Sequence, residues 1–197
     1  MPPPEPESIR PSDNAPAELA RFRPYLLMLA RLQFDEALQA KLDASDIVQQ
    51  TLLEAHQGIA KFQGQSDREK AAWLRRILAH NLADEIRKFR RGKRNMHLEA
   101  SLQAALNEST LRVEKWIADE EASPSDCAIA NEQLVALAAA LMQLPDDQRR
   151  AVELHHLQGF PSAMVAQRMG RTEVAVAGLL RRGLKNLRAS IGADDLK

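Results

Sequence analysis

The spacing of the apolar residues is the feature that most restricts how this chain can fold. Apolar residues recur every three or four positions over most of the chain between about residue 17 and about residue 190, and no stretch alternates as a half-buried strand would. Leucine and alanine fill most of these positions, whereas aromatic residues make up only 4% of the chain. Packed helices tolerate this composition better than sheets do, because strands favour β-branched and aromatic residues. The sequence therefore predicts an all-α protein.

Breaker residues divide the helical pattern into segments. Prolines crowd the first sixteen residues, which predicts a disordered tail over 1–16. Asp43 or Ser45 is available to cap the second helix, and Ser66 with Glu69 reads as a capping box for the third. Gly159 and Gly170 are expected to end helices. The predicted helices cover about 17–42, 43–61, 68–91, 124–143, 146–157, 162–169 and 172–190.

The acidic segment between the third and fourth helices has little periodicity. We therefore expect residues 95–123 to form a flexible linker with one or two poor helices. The predicted architecture is two small helical domains, over 17–94 and 124–191, joined by this linker.

Charge is distributed unevenly, although 27 Lys and Arg balance 27 Asp and Glu. Residues 75–94 have a net charge of +6, residues 95–132 of −6 and residues 168–188 of +5. Two basic segments separated by an acidic one indicate a polyanion that is contacted at two places. Either basic segment alone would also suit a solvent-facing helix.

Several classes of protein are disfavoured. No apolar run reaches the roughly 18 residues that a membrane span needs, and the N-terminus lacks the basic start and apolar stretch of a signal peptide. Cys127 is the single cysteine, so a cytoplasmic location is expected. The sequence contains no phosphate-binding glycine loop and no nucleophile–base pair. The neighbours His155 and His156 do not indicate a metal site, because adjacent side chains on a helix point apart and no partner ligands have suitable spacing. We predict no enzymatic activity, no cofactor and no metal.

The C-terminal segment has the outline of a helix-turn-helix. A short helix over 162–169 and a turn at Gly170 precede the longer, cationic helix in "GRTEVAVAGLLRRGLKNLRASI", which runs from Gly170 to Ile191. In this motif the second helix enters the major groove of DNA and the first helps to set its angle.

The order of the motifs resembles a known family. The stretches "DASDIVQQTLLEAHQGIAKFQG", "AAWLRRILAHNLADEIRKFRR" and "LPDDQRRAVELHHLQGFPSAMVAQRMG", with the acidic segment between the last two, resemble bacterial sigma factors of the extracytoplasmic-function (ECF) class over about residues 17–191. The resemblance implies that 17–94 is sigma region 2, which binds core RNA polymerase and the promoter −10 element. It implies that 124–191 is sigma region 4, which binds the −35 element.

The resemblance also implies partners and site residues. The expected partners are core RNA polymerase, through its clamp helices and flap, and promoter DNA; an anti-sigma protein is a further candidate. The family's polymerase surface corresponds to Asp46, Gln49 and Gln50. Its −10 surface corresponds to Gln65, Ser66, Arg75, Arg76, Asn81, Arg87, Lys88, Arg90 and Arg91. Its −35 surface corresponds to Arg171, Thr172, Glu173, Val174, Ala177, Gly178, Arg181, Arg182 and Lys185.

Some of these residues have a structural alternative. Asp46 could simply cap its helix, and Arg181 or Arg182 could pair with Glu153. We expect Asp84 to orient a neighbouring arginine and Trp73 to pack in the core.

The chain also departs from the family. Many members carry cations at the positions of Ala177 and Leu179 and an acid at that of Met164, so we expect −35 binding to depend on phosphate contacts and DNA shape. Two other functions stay open: a helix-turn-helix repressor or activator that binds DNA without polymerase, and a helical adaptor that binds no DNA.

Overall fold

The computed structural model describes residues 15–34, 38, 41–90, 96–121 and 129–194. Every regular element within these residues is helical, which confirms the all-α prediction. The helices are α1 (Ala15–Ala20), α2 (Arg23–Leu32), α3 (Ala44–Gly58), α4 (Asp67–Arg90), α5 (Met96–Glu121), α6 (Ile129–Gln143), α7 (Asp146–Val152), α8 (Ser162–Met169) and α9 (Glu173–Asp194). A 3₁₀ turn, Ile59–Lys61, follows α3, and a π-helical segment, Glu153–Leu157, follows α7.

The starts of α3 and α4 have the capping contacts that the sequence predicts. The Asp43 carboxylate accepts the Ser45 N–H at 2.7 Å and caps α3. The capping box before α4 is also confirmed: Glu69 Oε2 accepts the Ser66 N–H at 3.0 Å, and Ser66 Oγ accepts the Glu69 N–H at 3.3 Å. The carboxylate of Glu69 also accepts the N–H of Gln65, and these hydrogen bonds lower its pKa.

The helical stretch predicted over 17–42, with Pro24 near its start or at a kink, is not one continuous helix. Turn residues separate α1 from α2, and Pro24 lies in the first turn of α2. A proline is tolerated in a first turn, where no intrahelical N–H bond is needed, but it would clash within a continuous helix. Helix α2 then buries every residue from Tyr25 to Ala30 and ends at Leu32. It is the central helix of the N-terminal half.

The prediction that residues 95–123 form a flexible linker with one or two poor helices is also wrong. Residues 96–121 form one helix, α5, whose inner face buries Leu102, Leu106, Thr110 and Val113. These residues are spaced by four, four and three positions, so they lie on one helical face. The pattern is easy to miss because Thr110 interrupts the apolar series and acidic residues occupy the outer positions.

Helix α5 connects the two predicted domains by direct contacts. On one side Thr110 Oγ1 and the Tyr25 hydroxyl of α2 lie 2.9 Å apart. On the other side Arg112 donates to the carbonyl of Gln158 at 2.7 Å, and Trp116 stacks on His156. Gln158 also donates to the carbonyl of Leu32 at 3.3 Å. The buried residues form one continuous cluster, so 17–94 and 124–191 contact each other in this structure.

The helix-turn-helix geometry is present where the sequence predicts it. Gly170 ends α8 in the left-handed conformation, with φ of 61°, and the Arg171 N–H returns to the carbonyl of Ala166 at 3.0 Å. Val165 and Ala166 of α8 are buried, as is Val176 of α9. Gly183 lets α9 approach α7 closely, since a Cβ atom there would lie 3.1 Å from Val152.

Some predictions fall outside the described residues. They concern the tail over 1–16 up to residue 14, Cys127 and Arg91. Arg90 belongs to α4, but its side chain lies outside the description.

Candidate polymerase and nucleic-acid interfaces

The outer face of α3 presents the residues predicted to bind polymerase. Asp46, Gln49 and Gln50 are exposed, whereas Ile47 and Val48 pack inward. Gln50 donates to Glu54 Oε1 at 2.7 Å. Asp46 and Gln49 make no side-chain hydrogen bond within the described chain, and Asp43 is the helix cap, so the structure gives Asp46 no capping bond.

Leu53 lies on the same face of α3, and sequence reasoning missed it. Its side chain is 50% exposed, three and four positions after Gln50 and Gln49. The signal available was its register, because the inner face of α3 was already filled by other apolar residues.

Arg75, predicted to face −10 DNA, is half-buried and makes contacts between helices while it lines the cleft between α4 and α5. Its Nη1 donates to the Tyr25 hydroxyl at 2.7 Å and its Nε to Asn107 Oδ1 of α5 at 3.1 Å. Burial raises the pKa of Tyr25, and the positive charge of Arg75 partly offsets that rise. In this arrangement Arg75 therefore joins α2, α4 and α5.

Asn81, also predicted to face −10 DNA, is only 7% exposed. Its Nδ2 donates to Thr51 Oγ1 at 3.2 Å and to Glu54 Oε2 at 3.3 Å, both on α3. The buried face of α4 runs through Leu74, Leu78 and Leu82, and Asn81 lies within that face. In this structure Asn81 is thus a polar link between α4 and α3, and its contact with −10 DNA stays a prediction.

The remaining described cations of α4 lie nearer the surface. Arg76 is exposed and has no ion pair among the described residues. Lys88 pairs with Glu85 at 2.5 Å, and that hydrogen bond raises the pKa of Lys88. Asp84 binds Arg87, which confirms that this carboxylate orients an arginine.

The loop before α4 and the start of the helix complete this surface. Gln65 and Ser66 are exposed, and their N–H groups are bound by Glu69. Arg68, an exposed arginine that sequence reasoning did not select, joins Arg76 in lining a cleft of about 380 Å³ between α4 and α5. Trp73 is partly buried and stacks on Phe62 with ring centroids 4.8 Å apart, in agreement with its predicted packing role.

Helix α9 presents the predicted −35 residues along its solvent-facing side. Gly178 is half-buried, and all the others are exposed: Arg171, Thr172, Glu173, Val174, Ala177, Arg181, Arg182 and Lys185. Thr172 Oγ1 caps the helix by accepting the Ala175 N–H at 3.2 Å. Arg171 pairs with Asp147 at 2.5 Å.

The alternative partner for Arg181 or Arg182 is wrong. Glu153 is half-buried to buried in the π-helical segment, and it forms an ion pair with Arg149, whose Nε lies 3.9 Å from its Oε1. Burial raises the pKa of Glu153 to about 7. Arg181, Arg182 and Lys185 have no acidic partner among the described residues.

The described residues give little support to other kinds of site. No group of three His, Cys, Asp or Glu side chains there could hold a metal ion. His155 Nδ1 lies 2.8 Å from the carbonyl of Phe160, and His156 stacks on Trp116. Within the same residues no helix is both long and apolar enough to span a bilayer.

A helix-turn-helix with a cationic, exposed second helix defines a class of DNA-binding proteins. Comparison with known proteins identifies the family. "Sigma-70 region 2" matches residues 19–92, and "Sigma-70, region 4" matches residues 134–187. The chain belongs to the sigma-70 family, in its ECF class.

Individual relatives are distant. ECF RNA polymerase sigma factor SigG of Mycobacterium tuberculosis is 32% identical over 154 residues, which cover 74% of this chain and 41% of SigG. ECF RNA polymerase sigma factor SigM of the same organism is 29% identical over 150 residues, covering 76% of this chain and 65% of SigM. This chain thus spans less than two thirds of either relative.

A solved structure is also similar. The sigma factor RpoE of Bartonella quintana, in complex with the anti-sigma factor NepR, is 21% identical. The match covers 90% of this chain and 96% of that one, with a TM-score of 0.34.

Proposed function

We propose that this chain is a promoter-specificity subunit of RNA polymerase. It binds the core enzyme, directs it to promoters through their −10 and −35 elements, and promotes opening of the DNA. The observation that carries the proposal is that one chain contains both sigma regions, and each presents polar residues that have no partner within the described chain. A repressor that acts without polymerase is less well supported, because a DNA-binding helix-turn-helix alone does not explain the region 2 match over 19–92.

The polymerase surface in this proposal is the outer face of α3. Asp46, Gln49 and Gln50 supply polar contacts, and Leu53 supplies an apolar one. Interfaces commonly place an apolar anchor among polar residues, and a few such residues carry most of the binding energy. The partner surfaces are the clamp helices of the core enzyme for this face and its flap for region 4.

The −10 surface in this proposal is the loop before α4 together with the exposed cations of that helix. Arg76 has no ion-pair partner among the described residues, whereas Arg87 and Lys88 would exchange their carboxylate partners for phosphates. Gln65 and Ser66 belong to the loop that corresponds to the segment with which the family holds a base extruded from the −10 DNA. Arg90 and Arg91 continue the sequence of cations at the C-terminal end of α4. We assign Arg75 and Asn81 to positioning α4, because their polar atoms already bind α2, α3 and α5.

The −35 surface in this proposal is the exposed side of α9. Its first turns, with Thr172, Glu173 and Val174, would face base edges in the major groove. Arg181, Arg182 and Lys185 lie further along the helix and would contact phosphates, which position the protein without reading sequence. We further propose a non-catalytic role in the cytoplasm. An anti-sigma protein stays a predicted partner on the family resemblance alone.

Dependence on core polymerase separates this function from a repressor's. Promoters would first be recovered from a random DNA library with the chain plus core enzyme. Binding to the recovered DNA would then be measured by gel shift with the chain alone, with core alone and with both. We expect a sequence-specific complex only with both. Equal specific binding by the chain alone would contradict the proposal.

A further inference from the structure

We propose that Val174 recognises the C5-methyl group of a thymine in the −35 element. This inference rests on the proposed function, because it assigns a base preference to the helix that the function places in the major groove. It concerns a single side chain whose exposure neither folding nor packing explains.

Val174 is unusually exposed for an apolar residue. Its exposed fraction of 83% is higher than that of the other exposed large apolar residues, Leu53, Leu111 and Met164. Valine also forms helices less readily than alanine, because its branched Cβ loses rotamer freedom in a helix. Val174 thus lowers the intrinsic stability of α9 and buries almost nothing in return within this chain.

The position of Val174 is fixed by the elements before it. Gly170 ends α8, Thr172 caps α9, and Val174 follows in the first turn. In a helix-turn-helix the N-terminal residues of the second helix are those that reach base edges. Val176 packs inward from the same turn, which holds the outward direction of Val174.

The neighbours of Val174 narrow the kind of group that it can contact. Ala177 lies three positions later on the same exposed side, and Gly178 follows it. The guanidinium of Arg182 folds back toward this turn, since a Cβ atom at Gly178 would lie 3.4 Å from its Nη1. Val174 and Ala177 thus form a small methyl-lined surface that contains no hydrogen-bond donor of its own and is bordered by a cation.

Only one base offers an apolar group in the major groove. Thymine presents its C5-methyl group there, whereas the exposed edges of guanine, adenine and cytosine present donors and acceptors. A methyl-lined surface therefore gains most from thymine, where apolar contact replaces water on both sides. The cation of Arg182 at its border is positioned for the phosphates beside that base.

Uracil substitution tests the contact directly, because deoxyuridine differs from thymidine only by this methyl group. Each thymine of the −35 element in a library-recovered promoter would be replaced singly by uracil, on either strand. Affinity would be measured with wild-type holoenzyme, with V174A holoenzyme and with L111A holoenzyme. Leu111 is a control for the loss of an exposed apolar side chain: it lines the cleft between α4 and α5, so L111A should change the affinity for thymine and uracil promoters by the same factor.

We expect wild type and L111A to lose about fourfold in affinity at one thymine or two, the factor for removing one buried methyl group. The V174A holoenzyme should bind the thymine and uracil promoters almost equally. The inference is overturned if wild type binds every uracil promoter as tightly as the parent, if V174A keeps the discrimination, or if recovered −35 elements lack thymine. It is also overturned if V174A weakens binding to core enzyme in the absence of DNA, because Val174 would then be a protein contact. Failure of the proposed function appears earlier, as the absence of core-dependent binding to unsubstituted DNA.

Discussion

At the scale of single residues, Glu153 is the side chain whose chemistry depends most on its surroundings. It is buried in the π-helical segment, its Oε1 accepts no hydrogen bond from the described residues, and burial raises its pKa from the ordinary value of 4.5 to about 7. The charges of Arg149, Arg31 and Arg150 oppose that rise without cancelling it. The folded protein therefore binds the Glu153 proton more tightly than the unfolded chain does.

This difference gives a pH dependence of known sign. A pKa that is raised by folding contributes stability below pH 4.5, and that contribution is lost as the pH rises to about 7. We expect E153Q to be more stable than wild type at pH 8, by up to about 3 kcal/mol, and to lose the decline between these pH values. Urea unfolding from pH 4.5 to pH 8 measures this, with E132Q, an exposed residue of α6, as the control. A decline equally steep in E153Q would show that Glu153 does not cause it.

Residue types predicted contacts between sequence neighbours better than they predicted which side of a helix a side chain lies on. The capping box of Ser66 with Glu69 and the pairing of Asp84 with Arg87 involve neighbours in sequence, so their spacing was sufficient. Asn81 and Arg75 were assigned to DNA by motif position. Their partners, on α2, α3 and α5, lie 27 to 50 positions away in sequence. The register of Asn81 with Leu74 and Leu78 was an available sign of its burial, whereas Arg75 is half-buried and no local feature of the sequence indicates its partners.

At the scale of elements, α5 shows how composition can conceal a helix. The described acidic side chains of this helix, Glu99, Glu108 and Glu114, lie outside its inner face, which is a regular stripe that contains one threonine. The stability of such a helix comes mainly from packing of its apolar face rather than from the intrinsic helix propensity of its residues. The predicted helices with uninterrupted stripes, such as α8 and α9, were found close to their expected bounds.

Two leucines of α5 allow a matched test of this packing. Leu106 is fully buried and Leu111 is 61% exposed, so the same substitution probes the two faces of one helix. We expect L106A to lower the free energy of unfolding by about 2–5 kcal/mol, and L111A to change it by less than about 0.5 kcal/mol. Chemical unfolding of both variants measures the difference. Two equally mild effects would indicate that α5 is not packed as described.

At the scale of the whole molecule, the two sigma regions share one continuous core through α5. The contacts that join them connect residues far apart in sequence, for example Gln158 with Leu32, 126 positions away. Such contacts leave no periodic signal, which is why the sequence predicted two domains and a linker but not their packing. The functional boundaries, 17–94 for region 2 and 124–191 for region 4, stay a prediction.

The central claim is that one chain carries a polymerase surface on α3 and a promoter surface on α9. The most direct measurement compares D46A/Q49A with R181A/R182A, each serving as the other's control. For both variants, affinity for core enzyme and holoenzyme affinity for promoter DNA would be determined across a range of salt concentrations.

We expect D46A/Q49A to lose affinity for core enzyme, with the promoter salt slope of the holoenzyme that still forms unchanged. We expect R181A/R182A to bind core enzyme normally and to lose promoter affinity, with the log-affinity versus log-salt slope flattened by about two units. Unchanged core binding by D46A/Q49A, or an unchanged salt slope in R181A/R182A, would contradict the account.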